Sequence, residues 1–139
     1  MYEPFISKYK EAEPFQMDEG VFFYNMVLRE MGTKTLVVGL ASFEPGASLP
    51  CHVHNVEESV TIIEGEAYCD VEGERTIVRE YDTSFIPPSI PHRFVNASDT
   101  KELIILWMYS QVDSSLRFAN VERIKVESNC CMLLENHRK

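Results

Sequence analysis

The sequence predicts an all-β domain, a small barrel or sandwich, and three observations carry that prediction. Eight or nine short runs of branched and aromatic residues follow one another between Val21 and Tyr109. Pairs built on Gly, Pro and Asp interrupt them at regular spacing, and no stretch sustains a helical period. A chain of 139 residues has room for one sizeable hydrophobic core and not for two. The expected organisation is an N-terminal arm over residues 1–20, the β domain over 21–110, and a C-terminal extension packed on it over 111–139.

Residues 1–20 mix charge, proline and isolated aromatics (Tyr2, Phe5, Tyr9, Phe15), which reads as an extended arm with a short helical turn, its apolar residues docked on the domain. Val21 to Leu28 reads as a strand that ends at Met31-Gly32, and Thr35 to Phe43 as the next. Glu44-Pro45-Gly46-Ala47 is a turn, since proline fixes φ and glycine accepts the positive φ such turns need. A short strand carrying His52 and His54 follows, then a run from Glu58 to Ile63 and a turn at Glu64-Gly65-Glu66. Ala67 to Val71 and Thr76 to Arg79 form a hairpin through Glu72-Gly73. Tyr81-Asp82 leads into Thr83 to Ile86, where Pro87-Pro88 stops ladder pairing for lack of amide donors. Arg93 to Asn96 and Leu103 to Tyr109 complete the set. Val121 to Val126 is open between strand and helical turn.

Composition removes several function classes. With 13 Lys and Arg against 22 Asp and Glu, the net charge is −9 and no basic run marks a nucleic-acid surface. The longest apolar run, Leu103 to Tyr109, is too short to span a bilayer, and charges through residues 1–20 leave no signal-peptide core. A cytoplasmic protein without nucleic-acid or membrane partners is expected. Cys51, Cys69, Cys130 and Cys131 make no Cys-X-X-Cys pair and read as reduced thiols.

The chemistry concentrates between Gly46 and Gly65. His52 and His54 are two apart, so on a strand both imidazoles point to one side, as two nitrogen ligands of one metal must. A carboxylate at the start of the returning run reaches the same place. Glu57 and Glu58 both qualify, and spacing together with strand parity shared with Val60 and Ile62 favours Glu58. A fourth ligand must come from elsewhere. His92 is the remaining interior histidine, while His137 lies two residues from the C-terminus.

Gly46, His52, His54, Glu58 and Gly65 stand at the five defining positions of the first motif of the cupin family, which this stretch resembles. Pro87, His92 and Asn96 match the second motif in register, whereas Tyr81 and Ser89 stand where that motif has glycines. The resemblance covers roughly residues 21–110 and implies a double-stranded β-helix, a small jelly-roll barrel. It also implies that His52, His54, Glu58 and His92 hold one divalent transition metal, with Mn, Fe, Co, Ni, Cu and Zn all suited to three imidazoles and a carboxylate. Tyr81 and Ser89 fit if their backbones keep negative φ.

Four protein ligands on an octahedral ion leave two positions for a small oxygenated substrate, with or without dioxygen. Parity puts Val60, Ile62 and Phe94 in the pocket, and the resemblance adds Ile104, Leu106 and Met108, with Trp107 and Tyr109 outside. Tyr24, Arg93 and Cys51 are the nearest candidates for a general acid or base, though Arg93 and Cys51 have outward parity and no catalytic role beyond the ligands is assigned. The expected function is a metal-dependent enzyme, of dioxygenase, decarboxylase, isomerase or lyase type; the alternative is a module that binds or senses a sugar or carboxylate without turnover. Apolar residues on both faces of Phe22 to Val27, together with Trp107 and Tyr109, point to a homodimer.

Overall fold

The computed structural model describes residues 2–110 and the short strand at 123–125. Runs of branched and aromatic residues become strands there, and the glycine and proline pairs become the bends between them. In chain order the strands are β1 (Phe15–Asp18), β2 (Val21–Val27), β3 (Leu36–Phe43), β4 (His52–His54), β5 (Glu57–Glu64), β6 (Ala67–Val71), β7 (Glu74–Val78), β8 (Thr83–Ile86), β9 (His92–Asn96), β10 (Leu103–Ser110) and β11 (Arg123–Lys125). Single 3-10 turns sit at Tyr9–Glu11 and Arg29–Met31 and bury nothing. Among the described residues no helix is long and apolar enough to cross a membrane.

Every strand pairing among the described residues is antiparallel. One sheet has the order β1-β2-β3-β10-β5-β8 and the other β11-β4-β9-β6-β7. Together they make a jelly roll rather than one closed hydrogen-bonded barrel. Val21, Ala41, Phe43, Ile62 and Leu103 from the first sheet meet Ala67, Cys69 and Phe94 from the second in one core cluster. Burying each large member removes enough apolar surface to contribute about 1.5–3 kcal/mol.

Register aligns the side chains that matter into two inner rows. Asn25, Gly39, Trp107 and Val60 form one across β2, β3, β10 and β5, and Val37, Tyr109, Glu58 and Ile86 form the next across β3, β10, β5 and β8.

The fold departs from the sequence reading in three places and resolves one alternative that it left open. Within the expected arm, Phe15–Asp18 is a strand that pairs with β2, and Phe15 stacks on Phe23 with centroids 5.5 Å apart. Arg123–Lys125 resolves the strand-or-turn alternative as a strand on the edge of β4, while the rest of the C-terminal extension lies outside the described residues. Tyr81 and Ser89 do not keep negative φ: they adopt +73° and +66°, the glycine-like conformation. Backbone hydrogen bonds hold them there, from the Tyr81 amide to the Ile62 carbonyl at 2.8 Å and from the Ser89 amide to the His54 carbonyl at 2.7 Å. Finally, Cys69 is a buried free thiol but Cys51 is disulfide-bonded rather than reduced.

The two motif ends are fixed by local chemistry. Gly65 has φ +94°, and a Cβ there would stand 2.7 Å from the Glu102 carbonyl oxygen, so both conformation and space require glycine. Asn96, buried at the end of β9, donates its amide to the carbonyls of Phe43, Glu44 and Lys101 and accepts from the Ser98 amide. That side chain ties β9 to the bend after β3 and to the loop before β10.

Candidate metal centre

Strand alternation delivers the histidines. Along β4 His52 is buried, Val53 half-buried and His54 buried, both imidazoles being 3 % exposed, and His92 at the start of β9 pairs directly with His52 across the sheet. Ligand-capable nitrogens of His52, His54 and His92 lie within 4.8 Å of one another. Glu58 reaches the same point from the opposite sheet. Its Oε2 is 3.4 Å from His54 Nε2 and its Oε1 is 2.9 Å from His92 Nε2.

Backbone carbonyls set two of the three tautomers. His52 Nδ1 is 2.7 Å from the Pro50 oxygen and His92 Nδ1 is 2.8 Å from the Ile90 oxygen; a carbonyl only accepts, so both Nδ1 atoms carry the proton. Each ring therefore turns an Nε2 lone pair inward, the orienting arrangement that metal-bound histidines use. His52 Nε2 and His54 Nε2 stand 3.1 Å apart. Burial alone would push the Glu58 carboxyl up, but close contact with His54 and then His92 outweighs it and holds the group down at about 2.

These donors fit a cation. Glu58 Oε1 and His92 Nε2 are both buried and, although close, share no aligned hydrogen bond and have none elsewhere among the described residues. Lone pairs gathered without protons between them are costly unless a positive charge joins them. Imidazole nitrogen with one carboxylate oxygen is the donor chemistry of a transition metal.

A cavity of about 360 Å³ opens on this cluster, bounded by His52, Glu58 and His92 at one end. Val60 and Phe94 line it as parity expects, whereas Ile62 packs in the core beyond the wall. The expectation for β10 is overturned. Ile104, Leu106 and Met108 point away from the cavity, and Ile105, Trp107 and Tyr109 line it. Trp107 pairs with Gly39, which leaves room for the indole to lie over the backbone of β3. A glycine inside an otherwise branched strand is the sequence signal for such a close approach. Tyr109, cross-strand neighbour of Glu58, brings its hydroxyl to 3.4 Å from His54 Nε2, with the two rings 4.8 Å apart.

None of the three acid–base candidates from the sequence is at the histidine cluster. Tyr24 packs against Tyr9, ring centroids 4.9 Å apart and planes tilted by 46°, on the outer side of the six-stranded sheet. Arg93 turns to Asp70, its Nε 2.8 Å from Oδ2, while Arg75 clasps the same carboxylate at 2.7 and 3.0 Å. Burial would raise Asp70, yet the two guanidinium groups bring it below the ordinary carboxylate range. Cys51 is buried in its disulfide, and Cys69, pushed up to about 12 by burial and then by Asp70 and Glu58, stays a thiol.

Comparison with known proteins places this geometry. A family model described as a cupin domain matches residues 39–109, just over half of the chain. A protein called polyketide synthase CurC, from Streptomyces cyaneus, is 29% identical over 103 residues, 73% of this chain and 67% of its own length. The polyketide cyclase RemF from Streptomyces resistomycificus superposes with a TM-score of 0.74 at 16% identity, covering 98% of this chain and 94% of that one. An RmlC-like cupin from Shewanella frigidimarina NCIMB 400 superposes at 0.68 and 21%, covering 83% and 98%.

Proposed function

The chain belongs to the cupin domain family, and from that premise we propose that it is a metal-dependent enzyme acting on a planar, oxygen-bearing small molecule of polyketide type. One observation carries the reading: three inward imidazoles and a carboxylate stand at the end of a cavity walled by Phe23, Phe94, Trp107 and Tyr109. Under this reading His52, His54, His92 and Glu58 hold one divalent ion. When bound, that ion supplies Lewis acidity to a substrate oxygen or, if redox-active, a route to dioxygen chemistry.

The chain's own residues do the rest. Aromatic walls exclude water and hold a flat ring system by offset stacking, orienting its oxygens toward the donor cluster. The Tyr109 hydroxyl, beside His54 and next to Glu58, holds a proton where a substrate carbonyl oxygen would gain one. These roles suit ring closure, in which a methylene C–H bond breaks, the carbon attacks a ketone carbon, the ketone oxygen takes the Tyr109 proton, and the methylene proton returns to the Tyr109 oxygen through water. The polyketide names of the two Streptomyces proteins support that class. Dioxygenase-type oxidation is the second reading, favoured by a mixed imidazole–carboxylate donor set that suits redox metals. A sugar-binding role is the third reading, and the aromatic walls around the donor cluster favour a flat ring system over it.

The test is turnover of a short poly-β-ketone by the metal-loaded protein with and without oxygen. Ring closure proceeds anaerobically with loss of water, oxidation consumes oxygen, and no conversion under either condition contradicts the enzyme reading. A homodimer remains part of the proposal, since Leu36, Phe85 and Met108 are exposed on the six-stranded sheet. Light scattering at twice the 16.0 kDa chain mass supports it, and the single mass removes it.

A further inference from the structure

The cavity has a polar wall that the metal centre does not use. Asn25 lines it from β2, in the same inner row as Gly39, Trp107 and Val60. Its amide makes no side-chain hydrogen bond among the described residues. In that row Trp107, only 6 % exposed, also keeps a buried indole N–H without a partner among them. Buried donors are almost always satisfied, so the buried Trp107 N–H, in one row with the half-buried and unbonded Asn25 amide, marks where a ligand supplies an acceptor. β2 and β5 are separated by β3 and β10, and three strand spacings set Asn25 about 14 Å across the sheet from the strand that carries Glu58. At this far end Arg29 and Glu30 line the same cavity with opposite charges, which favours a neutral group over an anion.

We infer that the ligand carries a second, uncharged oxygen at the end remote from the histidine cluster, a carbonyl or phenol received by Asn25 with the Trp107 N–H as a second donor. The inference rests on the reading of the cavity as a metal-holding site for a planar oxygenated molecule, and it narrows the class to fused-ring or elongated aromatics with oxygen at both ends. A single-ring chelator would leave Asn25 bare.

The sole tryptophan, Trp107, reports binding by quenching of its own fluorescence. Zinc-loaded protein is titrated anaerobically with 2,3-dihydroxynaphthalene and with 2,3,6-trihydroxynaphthalene, which adds one distal hydroxyl. The expected result is an affinity about tenfold higher for the trihydroxy compound, a ratio that falls to within about twofold in Asn25→Leu and in the smaller change Asn25→Ser. Equal affinities in the unaltered protein, or a preference that survives both substitutions, overturn the distal subsite alone. Binding of neither compound overturns the metal-centre reading and the subsite with it.

Discussion

The indole of Trp107 lies over Gly39, its cross-strand partner, so closely that a Cβ at position 39 would meet the six-membered ring. This contact decides which face of β10 lines the cavity. Gly39→Ala is expected to cost about 1–3 kcal/mol by overpacking, and to shift Trp107 emission while leaving metal content unchanged. Thermal melting, emission spectra and elemental analysis of the one variant check all three.

Ser89 accepts φ +66° in a bend whose amide bonds the His54 carbonyl. A left-handed residue with a side chain costs about 1–2 kcal/mol, and glycine's extra unfolded-state freedom takes back about 0.5–1. Ser89→Gly should therefore stabilise by about 0.5–1 kcal/mol, and Ser89→Val should destabilise. Denaturation midpoints of the pair measure the sign directly.

Asp70 has no exposed surface and is held by Arg75 and Arg93 from neighbouring strands. Asp70→Asn leaves two guanidinium groups without their carboxylate and is expected to cost about 3–5 kcal/mol. The folded-state pKa is lowered, so the stabilisation is fully present above the ordinary carboxylate value and is lost as pH falls through the folded one. Stability of the unaltered protein should drop with acidification below that ordinary value, and the Asn variant should lose this part of the slope.

Tyr109→Phe keeps the ring against His54 and removes the hydroxyl. Turnover is expected to fall on the order of 10²-fold with metal content and melting temperature close to the parent. Unchanged turnover would leave Tyr109 as a wall residue only.

Much of this arrangement could be read from residue order because local rules governed it. His52 and His54 share a face through simple alternation, and Glu58 is inward with Val60 and Ile62 for the same reason. β10 was not legible in that way. Leu103 to Tyr109 is apolar on both faces, so alternation offers no contrast, and the deciding fact lies on another strand at Gly39. Tyr81 and Ser89 show a different limit: hydrogen bonds to distant carbonyls hold a conformation their residue types do not favour. Phe15–Asp18 is a strand because β2 offers an edge and Phe23 a stacking partner, neither visible within four residues.

The most direct test of the central claim is metal stoichiometry by elemental analysis, in the protein and in His52→Ala, with fold checked by circular dichroism. About one transition-metal ion per chain, lost in the folded variant, is the expected result. An absence of bound metal after exposure to each candidate ion, or a content unchanged by His52→Ala, would contradict it.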